Sequence, residues 1–116
     1  MAKKAGYVRR NNTSRVLSDK DWITILGALL HDRSVEGRQL ANALMTRSKP
    51  GRHVRLLRLI HRDRPRLDEM KRAMKVSRRT VFRYLNSLEE YGTSLRIDEM
   101  SRYTLDRVPP TLQRLL

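Results

Sequence analysis

A mostly α-helical chain with one short β-hairpin near its C-terminal end is the fold class the sequence predicts. Three observations predict it. Apolar residues recur at helical spacings such as i, i+4 and i+7 through most of residues 18–92, the mark of one helical face. Ser18, Ser34 and Ser77 stand just ahead of such stretches, where a helix N-cap belongs. After Gly92 the period drops to two on both sides of Glu99–Met100–Ser101, which reads as two short strands around a turn.

Residues 1–18 are polar, hold five basic and no acidic residues, and keep no sustained period, so they read as a flexible basic arm. Such an arm can track phosphates or enter a minor groove; it can equally be a solubilising tail. Residues 18–32 place Trp22, Ile23, Leu26, Leu29 and Leu30 on one face, with Ser18 or Asp19 as the cap. Residues 34–48 place Leu40, Ala41 and Leu44 on one face, with Val35 and Met45 nearby, and Lys49–Pro50–Gly51 reads as a stop. Residues 19–50 therefore form a helical hairpin with more apolar surface than it can hide within itself. Two readings are open: the Trp22 face completes the core, or it joins two chains as a homodimer. A dimer would suit a protein that reads paired half-sites about 34 Å apart.

Residues 51–63 turn Leu56, Leu57 and Ile60 inward and carry Arg55, Arg58 and Arg62 on another face, until Arg64–Pro65 breaks the helix. A short helix over 66–75 follows, with Leu67, Met70 and Met74 inward. The next helix opens at Ser77 and closes at Gly92, a C-cap residue. Pro109–Pro110 ends the hairpin, and residues 109–116 form a tail of one or two helical turns with Leu112, Leu115 and Leu116 apolar.

Charge narrows the function. The chain carries +14 at pH 7 over 116 residues, and residues 52–92 alone hold twelve basic against five acidic side chains. Such a balance suits a polyanion: nucleic acid first, an anionic membrane second. There is no cysteine, which removes disulfides, thiolate metal sites and cysteine nucleophiles. No apolar run approaches the ~20 residues of a membrane span, and no signal-peptide core follows the basic start. A cytoplasmic, nucleoid-associated protein with no membrane partner is expected.

The helix from Ser77 carries the sharpest signal. Val76 would plug the space between it and the short helix before it, and the Ser77 hydroxyl would cap it. A capped N-terminus offers free backbone N–H groups and the positive end of the helix dipole, both favourable beside phosphate. Val81, Leu85 and Leu88 define its inner face, flanked by Tyr84 and Tyr91. That leaves Arg78, Arg79, Phe82, Arg83 and Asn86 outward. Arginine can bridge guanine O6 and N7, and asparagine can pair with adenine, in the major groove. Thr80 and Phe82 can meet a phosphate or a thymine methyl. The hairpin would add Arg96 and Arg102 over the backbone or minor groove. Residues 51–108 then make a winged helix-turn-helix of three helices plus a β-hairpin wing. The plainer counterparts are a capped helix with a solvated cationic face, a Phe82 at the edge of the core, and Arg55, Arg58 and Arg62 in solvent.

The run "VSRRTVFRYLNSLEEYG", with the leucine-rich helix and short helix before it, resembles the N-terminal DNA-binding head of DeoR-like regulators, especially those with a WYL sensor domain. The resemblance spans about residues 52–105. It implies sequence-specific binding of double-stranded DNA, usually as a dimer, with control of transcription as the outcome. It places Arg78, Arg79, Thr80 and Arg83 at the front of the recognition helix and Arg102 in the wing. The chain departs from the family at Arg66, where a capping Ser or Thr is common. It departs again at Lys71, where a small residue is usual, and at Lys75, where Gly is frequent. No ligand sensor follows the wing in this sequence, so no small-molecule effector is expected, and the hairpin of residues 19–50 has no counterpart in the family.

Nothing in the motifs points to an enzyme, a metal or a cofactor. His53 and His61 lie eight apart on one helix, about 12 Å along its axis, too far to share a zinc ion. There is no His-Glu-x-x-His, phosphate-binding glycine loop or Gly-x-Ser-x-Gly. The expected function is a DNA-binding transcriptional regulator, a repressor in its simplest form. The alternatives are a DNA-organising or segregation protein with the same fold, a ribonucleoprotein component, or an adaptor that docks through the Trp22 face.

Overall fold

A chain of serine caps sets where the helices begin. The computed structural model describes residues 17–116, so most of the expected basic arm of residues 1–18 lies outside the described residues. Helix α1, Asp19–Leu30, starts at Ser18, whose hydroxyl accepts from the Asp21 N–H while Asp21 accepts from the Ser18 N–H, both at 3.1 Å. That reciprocal pair satisfies two otherwise free donors. Helix α2, Val35–Arg47, starts at Ser34, whose hydroxyl accepts from the Gly37 N–H at 2.9 Å.

Residues 49–51 do not separate two units. Helix α3 is Lys49–Asp63, so Lys49–Pro50–Gly51 is its first turn. The stop is the single residue Ser48, shared by both helices. Its hydroxyl donates to the Leu44 carbonyl at 2.7 Å and accepts from the Gly51 N–H at 3.0 Å. Pro50 fits because the first turn of a helix needs no partner for its missing N–H. Gly51 is required by contact: a Cβ there would overlap the Leu44 carbonyl. The corner is this tight because the two helices pack on each other from their first common residue.

Helix α4 is Leu67–Met74 and α5 is Arg78–Glu90, three residues apart. Strands β1, Ser94–Ile97, and β2, Tyr103–Arg107, pair antiparallel with Leu95 opposite Leu105 and Ile97 opposite Tyr103. The period-two reading of the sequence gives the two strands and the place of the turn; the structure supplies the register. The hairpin is anchored to the break between α3 and α4, since the Tyr103 N–H donates to the Pro65 carbonyl at 2.9 Å. A last helix, α6, is Pro110–Gln113. The described residues are thus mostly helical, with one small two-stranded antiparallel sheet.

One core serves all of them. Ile23, Leu26 and Ala41 join Leu56, Leu57 and Ile60 of α3, and these continue to Met70, Val81 and Leu88. Side chains buried together like this supply most of the stabilisation of a small fold. Of the α1 stripe, Ile23 and Leu26 are buried in this core at 2% exposure each, while Trp22, Leu29 and Leu30 are half-buried. Two expectations change here. Leu40 points to solvent at 51% exposure while its neighbour Ala41 is fully buried, since the helices approach closely where the small side chain sits. The tail of residues 109–116 belongs to the core: Leu112 and Leu115 are buried, and the His31 Nε2 lies 2.7 Å from the Arg114 carbonyl.

Among the described residues no helix is long and apolar enough to cross a membrane, and no three or more His, Cys, Asp or Glu side chains gather as a metal site would need.

Candidate nucleic-acid interface

The turn between α4 and α5 is built from three residues with distinct tasks. Lys75 ends α4 in the left-handed conformation, φ 57° and ψ 46°. A side chain there costs about 1 kcal/mol that glycine would not. Val76 is half-buried and packs on the core. Ser77 caps α5 by accepting from the Thr80 N–H at 3.2 Å, and it donates to the Thr80 hydroxyl at 3.1 Å. Helix α4 itself lacks a side-chain cap at Arg66. Glu69 offsets part of that loss by accepting from the Arg66 N–H at 2.8 Å.

Helix α5 divides as its sequence predicts. Val81, Tyr84, Leu85 and Leu88 are buried, and Tyr84 lies deeper than a flanking position suggests. Arg78, Arg79, Phe82, Arg83 and Asn86 are exposed, and Thr80 is half-buried beside them. The Arg78 guanidinium stands 5.6 Å from the centre of the Phe82 ring, so Phe82 serves as a platform for a neighbouring cation. Among the described residues, Arg78, Arg79 and Arg83 have no carboxylate within salt-bridge distance. Their charge faces solvent uncompensated. The helix ends at Gly92, φ 104°, where the Thr93 N–H reaches the Leu88 carbonyl at 3.1 Å and the Gly92 N–H the Glu89 carbonyl at 2.9 Å. Those two bonds make the left-handed termination that favours glycine.

The two hairpin arginines behave differently from the helix. Arg96 donates to Asp106 across the hairpin at 2.7 Å. Arg102 lies just before β2 rather than on a strand face, donates to the Arg64 carbonyl at 3.0 Å and stands 3.8 Å from Glu69. Both are tied within the chain, and Asp98 and Glu99 sit at the hairpin tip. The hairpin presents nearly balanced charge beside a strongly positive helix.

Other basic side chains border α5 that its own sequence does not reveal. A concavity beside it is lined by Lys49 and Arg52 of α3 together with Thr80, Arg83 and Asn86. A second, at its N-terminus, is lined by Lys71, Arg72 and Lys75 with Ser77. The signal that could have found them is the charge density of residues 49–83 taken with helix order. Basic side chains therefore border both flanks of α5, with Glu90 in the first concavity and Asp68 in the second.

Beneath this surface, His53 is buried and its Nδ1 lies 2.8 Å from the Tyr91 hydroxyl. Burial pushes the imidazole down to about 4, with Lys49 and Arg52 acting the same way and Asp19 opposing. Burial, with Asp19 next, raises the Tyr91 hydroxyl above its ordinary range. The pair is a neutral structural link between α3 and α5.

No family model matches the chain, and comparisons with curated proteins and with solved structures give no match.

Proposed function

We propose that this protein binds double-stranded DNA through a winged helix-turn-helix, with α3, α4 and α5 as its three helices and β1–β2 as its wing. In this reading α5 enters the major groove from its Ser77 end, and the role is transcriptional regulation, repression in its simplest form. The observation that carries it is the outward face of α5. Among the described residues Arg78, Arg79 and Arg83 have no carboxylate partner and project from a capped helix N-terminus, with Lys71, Arg72 and Lys75 flanking it. Free guanidinium groups on a rigid helix suit the acceptor edge of guanine, and the surrounding charge suits phosphate.

The tied state of Arg96 and Arg102 shifts the expected share of backbone contacts from the wing to Lys71, Arg72 and Lys75, with Lys49 and Arg52 held in part by Asp19 and the Arg47 carbonyl. A homodimer enters the proposal through the DNA: two copies on a palindrome would each place one α5 in the groove, one helical turn apart. A DNA-organising or segregation role uses the same contacts with looser sequence preference, and the +14 charge favours it equally.

Fluorescence anisotropy with a mixed-sequence duplex and a structured RNA, across a salt series, tests the class of partner. The proposal expects tighter binding to the duplex at every salt concentration. Preference for the RNA throughout contradicts it.

A further inference from the structure

A groove of about 530 Å3 opens between α2, α3 and α4. Arg55, Arg58 and Leu59 line it from α3, Asn42 and Met45 from α2, and Met74 from α4. None of its lining residues is acidic, and none belongs to α5 or the hairpin. It is therefore separate from the surface read above as the DNA interface.

Of the three arginines that line the groove, Arg62 pairs with Asp63 at 3.1 Å, whereas Arg55 and Arg58 have weaker partners. Arg58 is half-buried, and its Nη1 donates to the Met45 sulfur at 3.7 Å. A thioether is a weak acceptor, so this bond leaves most of the donors of the guanidinium free for another partner. Arg55 donates to the Ala73 carbonyl at 3.3 Å, at the last turn of α4. Among the described residues neither has a carboxylate within salt-bridge distance. Two forked donors over a floor of Met45, Leu59 and Met74 combine charge with apolar contact.

We infer that this groove binds a small amphipathic anion, its carboxylate or phosphate held by Arg55 and Arg58 and its apolar part laid against Met45, Leu59 and Met74. Asn42 lines the same groove, and its amide can donate to an anion. The volume falls within the roughly 300–1,000 Å3 of small-ligand sites. Arginine suits either anion because its planar fork pairs with two oxygens at once.

Titration calorimetry at near-physiological salt tests it, with inorganic phosphate, phenyl phosphate, phenylacetate and neutral benzyl alcohol as probes. Phenyl phosphate or phenylacetate should bind about tenfold or more tightly than inorganic phosphate, and benzyl alcohol should give no saturable heat. The tighter of the two identifies the anion. Arg58→Met and Arg55→Met should each weaken that binding about tenfold, Arg58→Lys should weaken it less, and Arg79→Ala should leave it unchanged. Melting curves establish that each variant folds; should Arg58→Met fail to fold, Arg55→Met and Arg58→Lys decide. The inference is overturned if neither amphipathic anion saturates, or if Arg79→Ala weakens binding as much as Arg58→Met, which would mark diffuse attraction to a cationic protein. It is also overturned if Arg58→Met leaves the small anions unaffected but weakens duplex binding, since the groove would then hold DNA phosphate. Anion binding that survives a failure to bind DNA would leave this inference standing alone.

Discussion

His53 and Tyr91, thirty-eight positions apart, meet at 2.8 Å between the imidazole Nδ1 and the phenol oxygen, and the Tyr91 hydroxyl reaches on to Asp19 at 3.5 Å. Three helices are pinned by this relay: α1 through Asp19, α3 through His53 and α5 through Tyr91. The ring of His53 also packs edge-on to Tyr84, centroids 5.2 Å apart. The helix that carries the proposed DNA-reading residues is thus held from behind by a buried histidine.

That histidine makes stability depend on pH. Folded, it titrates at about 4; unfolded, at about 6.5. The unfolded chain therefore takes up the proton first, and stability is full above about pH 6.5 and is lost as pH falls towards about 4. Up to about 3 kcal/mol is at stake. Urea denaturation between about pH 7 and about pH 5 should show stability falling with acidification. His53→Gln should be less stable at neutral pH and show a flatter profile across that window. An equally steep profile in the variant would remove His53 as the cause.

Ser77 and Arg79 should separate folding from binding. Ser77→Ala removes the acceptor for the Thr80 N–H and should cost about 1 kcal/mol of stability. Arg79→Ala removes no side-chain hydrogen bond or ion pair among the described residues and should change stability by less than about 0.5 kcal/mol, while weakening DNA binding by about 1–3 kcal/mol. Denaturant melts beside duplex titrations measure both.

At Lys75 the two effects oppose each other. Lys75→Gly relieves the left-handed backbone at φ 57° and should raise stability by up to about 1 kcal/mol. The same change removes a positive charge beside the α5 N-terminus and should lower the slope of log affinity against log salt by about 1. A stabilised variant with an unchanged salt slope would place Lys75 away from phosphate.

Arg102 should behave as a structural residue. Its bond to the Arg64 carbonyl and its approach to Glu69 fasten the hairpin to the α3–α4 break. Arg102→Ala should lose about 1–2 kcal/mol of stability, with hydrogen exchange quickening in β2, and should disturb DNA binding less than Arg79→Ala does. The reverse order would return Arg102 to the interface.

What the sequence made legible follows from the range of each interaction. Ser18, Ser34 and Ser77 cap helices through bonds to residues three positions on, so a local pattern suffices to find them. The outward row of α5 and the two strands of the hairpin are likewise set by short periods, while the pairing of Leu95 with Leu105 is not, since the turn has no Asn-Gly or Asp-Gly to fix the register. Ser48 was hidden because one residue ends α2 and begins α3, so that Pro50 and Gly51 looked like a break while they form a first turn. The burial of Leu115, the exposure of Leu40 and the partners of Arg96 and Arg102 depend on where distant elements come to rest. The flanking cations Lys49 and Arg52 reach the α5 face only through the packing of α3, which periodicity along one helix does not encode.

Enrichment of a random-sequence duplex pool, carried out in parallel with the wild type and Arg79→Ala, tests the central claim most directly. The account predicts one recovered motif for the wild type, palindromic if two copies bind, and loss of preference at a defined guanine for the variant. Pools that enrich no motif, or the same motif undiminished with Arg79→Ala, would contradict a base-reading role for this face of α5.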